Sequence, residues 1–339
     1  MFNDKVILIT GGTGSFGKKF TGYLLQHYKP RKVIIFSRDE FKQFEMARTF
    51  PEASYPVRYF LGDVRDRDRL YRAFDGVDYV IHAAAIKQVP AAEYNPFEAV
   101  KTNILGAQNI VEVAIDKGIK KVVALSTDKA VSPINLYGAT KLAMEKLFVS
   151  GNAYVGARDT SFCVVRYGNV IGSRGSVVPL FMDLTKAGKK KFPVTDERMT
   201  RFWITLLQGV ELVCKAARDG VGGEVFVPKI PSTKITDIVK ALCPDGECEF
   251  IGIRPGEKLH ESLISEDEGR NTVDMGDGYV ILPQFSFQDS KHYGYSKYPR
   301  MADGFFYRSD KNEEWLSQSQ ISELIESIEI DRRLVASEQ

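Results

Sequence analysis

Cysteine and histidine are scarce in this chain, with four of each among 339 residues. Cys163, Cys214, Cys243 and Cys248 form no C-x-x-C pair; the nearest two stand five apart. With the histidines scattered as well, no metal site is expected. Free thiols without a disulfide framework fit a reducing, cytoplasmic setting. Long apolar runs are also missing. No stretch approaches the roughly 18 residues a membrane helix needs, so no membrane span is expected. The N-terminal "MFNDKVILIT" runs straight into a strand-like segment without a signal-peptide pattern. An excess of one charge is missing too, because 46 basic and 44 acidic residues leave a net +2. That balance does not suggest a dedicated nucleic-acid surface. The short run Lys189, Lys190, Lys191 reads as a solvated loop, though it could still meet a phosphate. Internal repeats and low-complexity tracts are not seen.

What the sequence does have is alternation. "KVILIT", "KVIIFS", "VRYFLGDV", "VDYVIHAAA" and "KKVVALST" read as buried strands. Helical segments such as "SFGKKFTGYLLQHY" and residues 103–117 separate them. Apolar strands alternating with helices give an α/β fold, a Rossmann-type doubly wound parallel sheet covered on both faces. Ligands of such sheets sit beyond the carboxyl ends of the strands. After "SFCVVRYGNVIGS" the alternation loosens, and Gly172 to Pro193 is rich in Gly, Ser and Lys. A smaller C-terminal substrate-binding lobe ending in an amphipathic helix is expected there. The boundary is placed near Gly168. Residues 1–168 would form the dinucleotide-binding domain, completed by segments near 200–230 such as "GEVFVPK", and 169–339 mainly the lobe.

"ITGGTGSFGKKF" sets Gly11, Gly14 and Gly17 in a G-x-x-G-x-x-G arrangement between a strand and a helix. Glycines there allow a tight turn and let backbone amides approach a pyrophosphate, helped by the helix N-terminus. A glycine triplet alone would also suit a plain turn, so the strand–helix context carries the reading. The end of the second strand selects the cofactor. An acid there would bind the 2′-hydroxyl of NAD, but here Ser37 and Arg38 end the strand and Lys42 follows a turn later. Arg38 can pair with a 2′-phosphate and stack on adenine, so NADP is expected. Asp39 is the ambiguous residue. Asp63 in "LGDVRD" is read as an adenine contact, or else as a loop turn residue.

The chemistry concentrates in "LSTDKAVSPINLYGATK". Tyr137 and Lys141 are i and i+4 on a predicted helix and share one face. A nearby ammonium lowers a phenol's pKa, and a phenolate can take a hydroxyl proton while a nicotinamide takes the hydride. Thr127 precedes the tyrosine by ten residues. A simple alcohol dehydrogenase or epimerase needs no more than this set. Asp128 and Lys129 are extra, and suggest a step beyond redox. A carbonyl formed at C4 of a sugar acidifies the C5 hydrogen, so a base at C5 and an acid at the C6 hydroxyl would eliminate water. The plainer alternative is that Asp128 caps the next segment and Lys129 is solvated.

"GGTGSFG", "FSRDE", "GDVRD", "AEYNP", "LSTDKA", "NLYGATK", "RYGNVIGSRGSV" and "RPGEKLHE" together resemble the inverting UDP-N-acetylglucosamine 4,6-dehydratases. These are extended short-chain dehydrogenases that start pseudaminic acid and related amino-sugar pathways. The resemblance runs over about residues 2 to 265. It implies Lys129 as the C5 base and Asp128 as the group assisting departure of the C6 hydroxyl. Lys129 would have to be neutral, and Lys141 with the cationic nicotinamide is expected to depress its pKa. Retaining relatives carry Asp-Glu after the threonine, and membrane-anchored ones lack the tyrosine.

The resemblance further implies cofactor contacts at Thr13, Ser15, Phe16, Val64, Ala83, Ala84, Ala85, Lys87 and Asn103, besides the loop residues, Tyr137 and Lys141. Substrate contacts are implied at Lys87, Asn169, Arg174, Val178, Thr200, Arg254 and Glu257, with Arg201 beside them. UDP-N-acetylglucosamine is the expected substrate and a homo-oligomer, a hexamer by resemblance, the expected assembly. The alternatives are a retaining dehydratase or UDP-sugar 4-epimerase on the same scaffold, and a non-catalytic NADP-binding sensor.

Overall fold

A computed structural model of the chain describes residues 1–173, 176–284 and 294–337. The chain runs β1 (Val6–Thr10), α1 (Ser15–His27), β2 (Lys32–Ser37), α2 (Glu40–Thr49), β3 (Val57–Leu61), α3 (Arg67–Ala73) and β4 (Tyr79–His82). Two short helices follow, α4 (Val89–Tyr94) and α5 (Pro96–Val100). A π-helical turn, Lys101–Leu105, then leads into α6 (Gly106–Lys117). Next come β5 (Lys121–Leu125), a 3-10 turn at Asp128–Ala130, α7 (Leu136–Gly151), β6 (Ser161–Val165) and β7 (Asn169–Val170).

Among the described residues, the main sheet has nine strands. From β3 its order runs β2, β1, β4, β5, β6, then β10 (Val225–Pro228), β15 (Gly278–Ile281) and β14 (Thr272–Asp274). All neighbours from β3 to β10 pair in parallel, while β15 is antiparallel to β10 and to β14. The order 3-2-1-4-5-6 reverses direction at β1, and a crevice opens beyond the strand ends there. β1 is buried at every position, as a strand covered on both faces must be. The "GEVFVPK" segment returns to this sheet as β10.

The rest of the chain builds a second cluster of elements: α8 (Val177–Lys186), β8 (Lys191–Val194), β9 (Thr200–Ile204), α9 (Leu206–Asp219), β11 (Ser232–Lys234), α10 (Ile235–Leu242), β12 (Glu247–Phe250), β13 (Ser262–Ile264), α11 (Glu266–Gly269), β16 (Tyr307–Arg308) and α12 (Gln318–Ser337). Of these, α9 packs back on α1 and the main sheet, and Leu263 and Ile264 of β13 and Tyr307 of β16 join the main core. A separate apolar core joins Val178, Phe181, Phe192, Trp203, Ile238 and Ile321. Residues 177–186, within the stretch rich in Gly, Ser and Lys, are helical. Pro179 lies in the first turn of α8, where its missing N–H is not needed.

One buried ion cluster ties the two parts together. Arg166, 1% exposed, makes a bidentate pair with Glu145 of α7 at 3.0 and 2.6 Å. It also donates to Glu268 of α11 at 2.9 Å and to the Leu263 carbonyl at 2.9 Å.

Candidate active site

A cleft of about 1170 Å³ runs from the β1–α1 turn past the ends of β4 and β5 into the C-terminal elements. That exceeds the roughly 300–1,000 Å³ usual for one small ligand. At its first end Gly11 adopts φ +64°, and a Cβ there would stand 2.8 Å from the Ala84 amide nitrogen. A Cβ on Gly17 would come within 2.3 Å of the Gly12 carbonyl oxygen, so Gly17 serves close helix–strand packing rather than the cleft wall. Gly14 is the N-cap of α1, and no side chain caps that helix. An uncapped helix start over a glycine cradle fits a pyrophosphate. Thr13, Ser15 and Phe16 complete this wall, with Ala83, Ala84 and Ala85 opposite.

Ser37, Arg38, Asp39, Lys42, Asp63 and Val64 line the far end. Asp39 is the N-cap of α2. Its carboxylate accepts from the Lys42 N–H at 3.0 Å and pairs with Lys42 Nζ at 2.8 Å, contacts that hold it below the usual carboxylate range. Arg38 is exposed and lies 3.6 Å from Asp63, whose carboxylate is gripped by Arg65 at 2.7 and 2.9 Å.

The middle of the cleft carries the reactive groups. Thr127 Oγ1 caps the 3-10 turn and donates to Asp128 Oδ1 at 2.9 Å, so the capping residue is Thr127 and not Asp128. Asp128 is fully buried behind the wall, and its Oδ2 has no hydrogen-bond partner. Lys129 reaches into the cleft. Its Nζ lies 3.0 Å from Asp128 Oδ1, 3.3 Å from Asn169 Oδ1 and 3.3 Å from Glu261 Oε1. α7 starts at Asn135, whose side chain accepts from the Gly138 N–H and donates to the Gly256 carbonyl, both at 2.7 Å. This puts Tyr137 and Lys141 on the cleft wall one turn apart.

Two electrostatic expectations are corrected here. Lys141 does not act on the Tyr137 phenol. Its amine donates to the Leu125 carbonyl at 2.6 Å and to Met144 Sδ at 2.9 Å, and burial brings its pKa down to about 8. Tyr137 is pushed up to about 12 by burial and the Asp128 charge, with Lys129 and Thr127 opposing. Nor is Lys129 depressed. Burial acts to lower its pKa, but the carboxylates of Asp128 and Glu261 outweigh that and raise it.

Three further expectations shift by local geometry. Asn103, 1% exposed, is not on the wall. It bonds both polar groups of Ile86 and Thr140 Oγ1 at 2.9 Å, pinning the loop after β4 to α7. Val178 points into the second core while its neighbour Val177 faces the cleft. Thr200 is buried against His260 and Ser309 at 2.8 and 2.7 Å, and its strand neighbours Met199 and Arg201 line the cleft, as side chains alternate along β9. Lys87, Asn169, Arg254 and Glu257 do lie on the wall. The Lys87 pKa is lowered by burial. Arg254 pairs with Glu257 at 3.6 Å, and Glu257 also accepts from Thr195 Oγ1 at 3.1 Å. Arg174 lies outside the described residues. Glu261, Ser126 and Thr102 line or border the site without having been anticipated. The hydroxyls of Ser126 and Thr102 are buried, unpartnered and on the wall. Thr102 lies on the π-helical turn, a feature frequent at functional sites. Among the described residues no cluster of His, Cys, Asp or Glu could hold a metal, and no helix is long and apolar enough to cross a membrane.

A crevice at the switch point of a Rossmann sheet, with a glycine cradle at one end and Thr-Tyr-Lys in the middle, defines an enzyme of the short-chain dehydrogenase/reductase class. Comparison with known proteins narrows this. Residues 7–283 match the family described as "Polysaccharide biosynthesis protein". An inverting UDP-N-acetylglucosamine 4,6-dehydratase of Campylobacter jejuni is 54% identical over 97% of this chain and 99% of its own. A UDP-glucose 4-epimerase of Rickettsia akari is 43% identical over 88% of this chain and 87% of its own. The crystal structure of Pen from Bacillus thuringiensis superposes with a TM-score of 0.88 at 40% identity, covering 97% of this chain and 99% of that one. The chain belongs to the polysaccharide biosynthesis family and, within it, to the inverting UDP-N-acetylglucosamine 4,6-dehydratases, which are hydro-lyases.

Proposed function

We propose that this chain converts UDP-N-acetylglucosamine to the 4-keto-6-deoxy sugar with C5 inverted, using NADP. The observation that carries the proposal is the Asp128–Lys129 pair at 3.0 Å in the same cleft as Tyr137. A 4-epimerase, as the Rickettsia relative is named, leaves that pair without work. The residues at the β1–α1 turn fit a dinucleotide, and when bound it supplies the hydride acceptor for C4 and the hydride returned at C6. Asp39 is committed to capping α2 and to Lys42, while Arg38 and Lys42 face the cleft. This arrangement favours a 2′-phosphate and hence NADP over NAD.

Tyr137 acts on the C4 hydroxyl as a phenolate: its own proton first leaves to solvent, favoured by the Lys129 ammonium and the Thr127 hydroxyl, and the phenolate then takes the C4 hydroxyl proton. Lys129 enters as an ammonium and gives one proton to Asp128 across their contact. That single transfer makes a neutral amine and a neutral acid together. The amine removes the C5 proton. Asp128, linked to the cleft through the Thr127 hydroxyl, returns its proton to the departing C6 oxygen, which leaves as water. Lys129 then holds the C5 proton and Asp128 is a carboxylate again. Exclusion of water by bound substrate favours the neutral pair over the ion pair. The inverted C5 receives a solvent-derived proton on its opposite face.

Residues 1–168 would serve the dinucleotide and 169–339 mainly the nucleotide sugar, with Arg254 and Glu257 toward the UDP portion and Lys87, Asn169 and Arg201 along the same substrate cleft. The product would feed pseudaminic acid or a related amino-sugar route in the cytoplasm. Exposed Tyr94 and Phe97 support self-association, as a hexamer by resemblance. An NMR time course with UDP-N-acetylglucosamine and no added nicotinamide tests the reading. The expected product has lost water and carries a C6 methyl; a product keeping the 6-hydroxyl contradicts it.

A further inference from the structure

Glu261 carries a charge that no step above uses. It precedes β13 and is 2% exposed. Ser309 fixes its backbone: the Glu261 N–H donates to Ser309 Oγ at 3.0 Å, and its carbonyl accepts from the Ser309 N–H at 2.8 Å. Its Oε1 is 3.3 Å from Lys129 Nζ and 3.9 Å from Arg201 Nε. Its Oε2 is 3.8 Å from Lys258 Nζ and accepts no hydrogen bond. A carboxylate buried this deeply is tolerated only among cations, and three converge on it.

From the side of Lys129, the arrangement is a tripod. An ammonium has three protons, and three oxygens surround this one, on Asp128, Asn169 and Glu261. They come from the loop after β5, from β7, and from the segment before β13. Each leg belongs to a different segment, and Glu261 is the leg farthest along the chain. The charged and titratable groups facing the amine are Asp128 beside it, Tyr137 from α7, Arg201 from β9, and Lys258 and Glu261 from the segment before β13.

We infer that Glu261 is a positioning residue for the elimination half of the reaction, fixing the place and the proton of the Lys129 amine while taking no part in the oxidation at C4. The inference rests on the reading of Lys129 as the C5 base. Removal of an anion at 3.3 Å makes the ammonium easier to deprotonate. The shared proton of the Asp128–Lys129 pair is then lost at a lower pH, and with it the elimination.

The test uses the NADP-loaded enzyme with Glu261→Gln, which keeps shape and removes charge. Three quantities are followed: reduced cofactor formed in a single turnover, exchange of the C5 hydrogen with D2O together with water loss, and the pH profile of that loss. The oxidation is expected to be unchanged. Elimination should fall on the order of 10- to 100-fold, the scale of a misplaced catalytic group. Its alkaline limb should move down by about one pH unit or more. Glu261→Asp should recover part of both effects, and it serves as the test should the glutamine variant fail to fold. In a Lys129→Ala background Glu261→Gln should add nothing further. Wild-type elimination with an unmoved alkaline limb overturns the inference. So does an equal loss of oxidation and elimination, which would mark a merely structural residue. If Lys129→Ala itself eliminates water normally, the base assignment fails, and this inference fails with it. If that variant is inactive while Glu261→Gln is normal, only the role of Glu261 fails.

Discussion

The loop after β5 and the first turns of α7 each bring a lysine to the same cleft, and their surroundings treat the amine in opposite ways. Lys141 sits against the Leu125 carbonyl and Met144, and burial lowers its pKa to about 8. Lys129 sits between Asp128 and Glu261, and their charge overrides its desolvation. Burial alone therefore does not say what a cleft lysine will do; the count of carboxylates within about 4 Å decides. The lysine with the depressed pKa is not the one assigned to proton removal at C5. In the proposed mechanism Lys129 is released from its ion pair by proton transfer to Asp128, so that the acid and the base of the elimination arise in one step.

The largest expected effect is on the tyrosine between these two regions. Tyr137→Phe should slow C4 oxidation by about 10²- to 10⁴-fold, read as reduced cofactor formed in a single turnover, with substrate affinity retained. Near wild-type oxidation would remove the tyrosine from the mechanism.

The two lysines should next part company in stability. Lys129→Met leaves the buried carboxylates of Asp128 and Glu261 without their shared cation and should cost about 3–5 kcal/mol. Lys141→Met removes an amine that is costly to bury charged, and should cost far less. Denaturant midpoints at neutral pH compare them, and equal losses would erase the contrast.

The pH dependence sharpens the same point. Burial brings the Lys141 pKa down to about 8 from the ordinary lysine value of 10.5. Between those values the unfolded chain binds more protons, so stability from this group rises with pH there, by about 3 kcal/mol at most. The stability difference between wild type and Lys141→Met should climb across that window. Lys129 has its pKa raised, so its contribution is complete below about 10.5 and fades only at higher pH. A flat difference for Lys141→Met would mean that its amine is not desolvated.

The smallest effect lies at the cofactor end. Arg38→Glu should lower the preference for NADP over NAD by roughly tenfold, about 1.4 kcal/mol. An unchanged ratio of the two affinities would show that Arg38 is not the discriminator.

Much of the first half is legible because its signals are local. β1, β2 and β5 follow from apolar runs, the glycine cradle from a spacing, and the shared face of Tyr137 and Lys141 from helix period. The capping of α2 by Asp39 is likewise a local feature that the spacing already contained. The second half is less legible because its meaning lies in contacts between distant segments. Nothing near Glu261 announces that its partner is Lys129, and nothing near Arg166 announces Glu145 and Glu268. Thr200 and Val178 went astray by a single residue of phase, since a strand or helix neighbour faces the other way. The same distance explains the lysines. Lys141 lies near Lys129 in sequence, whereas the groups that set the Lys129 pKa include Glu261 from the other half of the chain.

The central claim is that Lys129 removes the C5 hydrogen while the C4 hydrogen travels as hydride to C6. Deuterium tracing in wild type and Lys129→Ala tests it most directly. Wild-type enzyme in D2O should give product with deuterium at C5 and the inverted configuration there. Substrate deuterated at C4 should deliver that label to C6 in ordinary water. Lys129→Ala should eliminate no water, while Tyr137 still permits slow oxidation with reduced cofactor left bound. Inverted product formed by Lys129→Ala at an undiminished rate, with solvent deuterium at C5, would contradict the account.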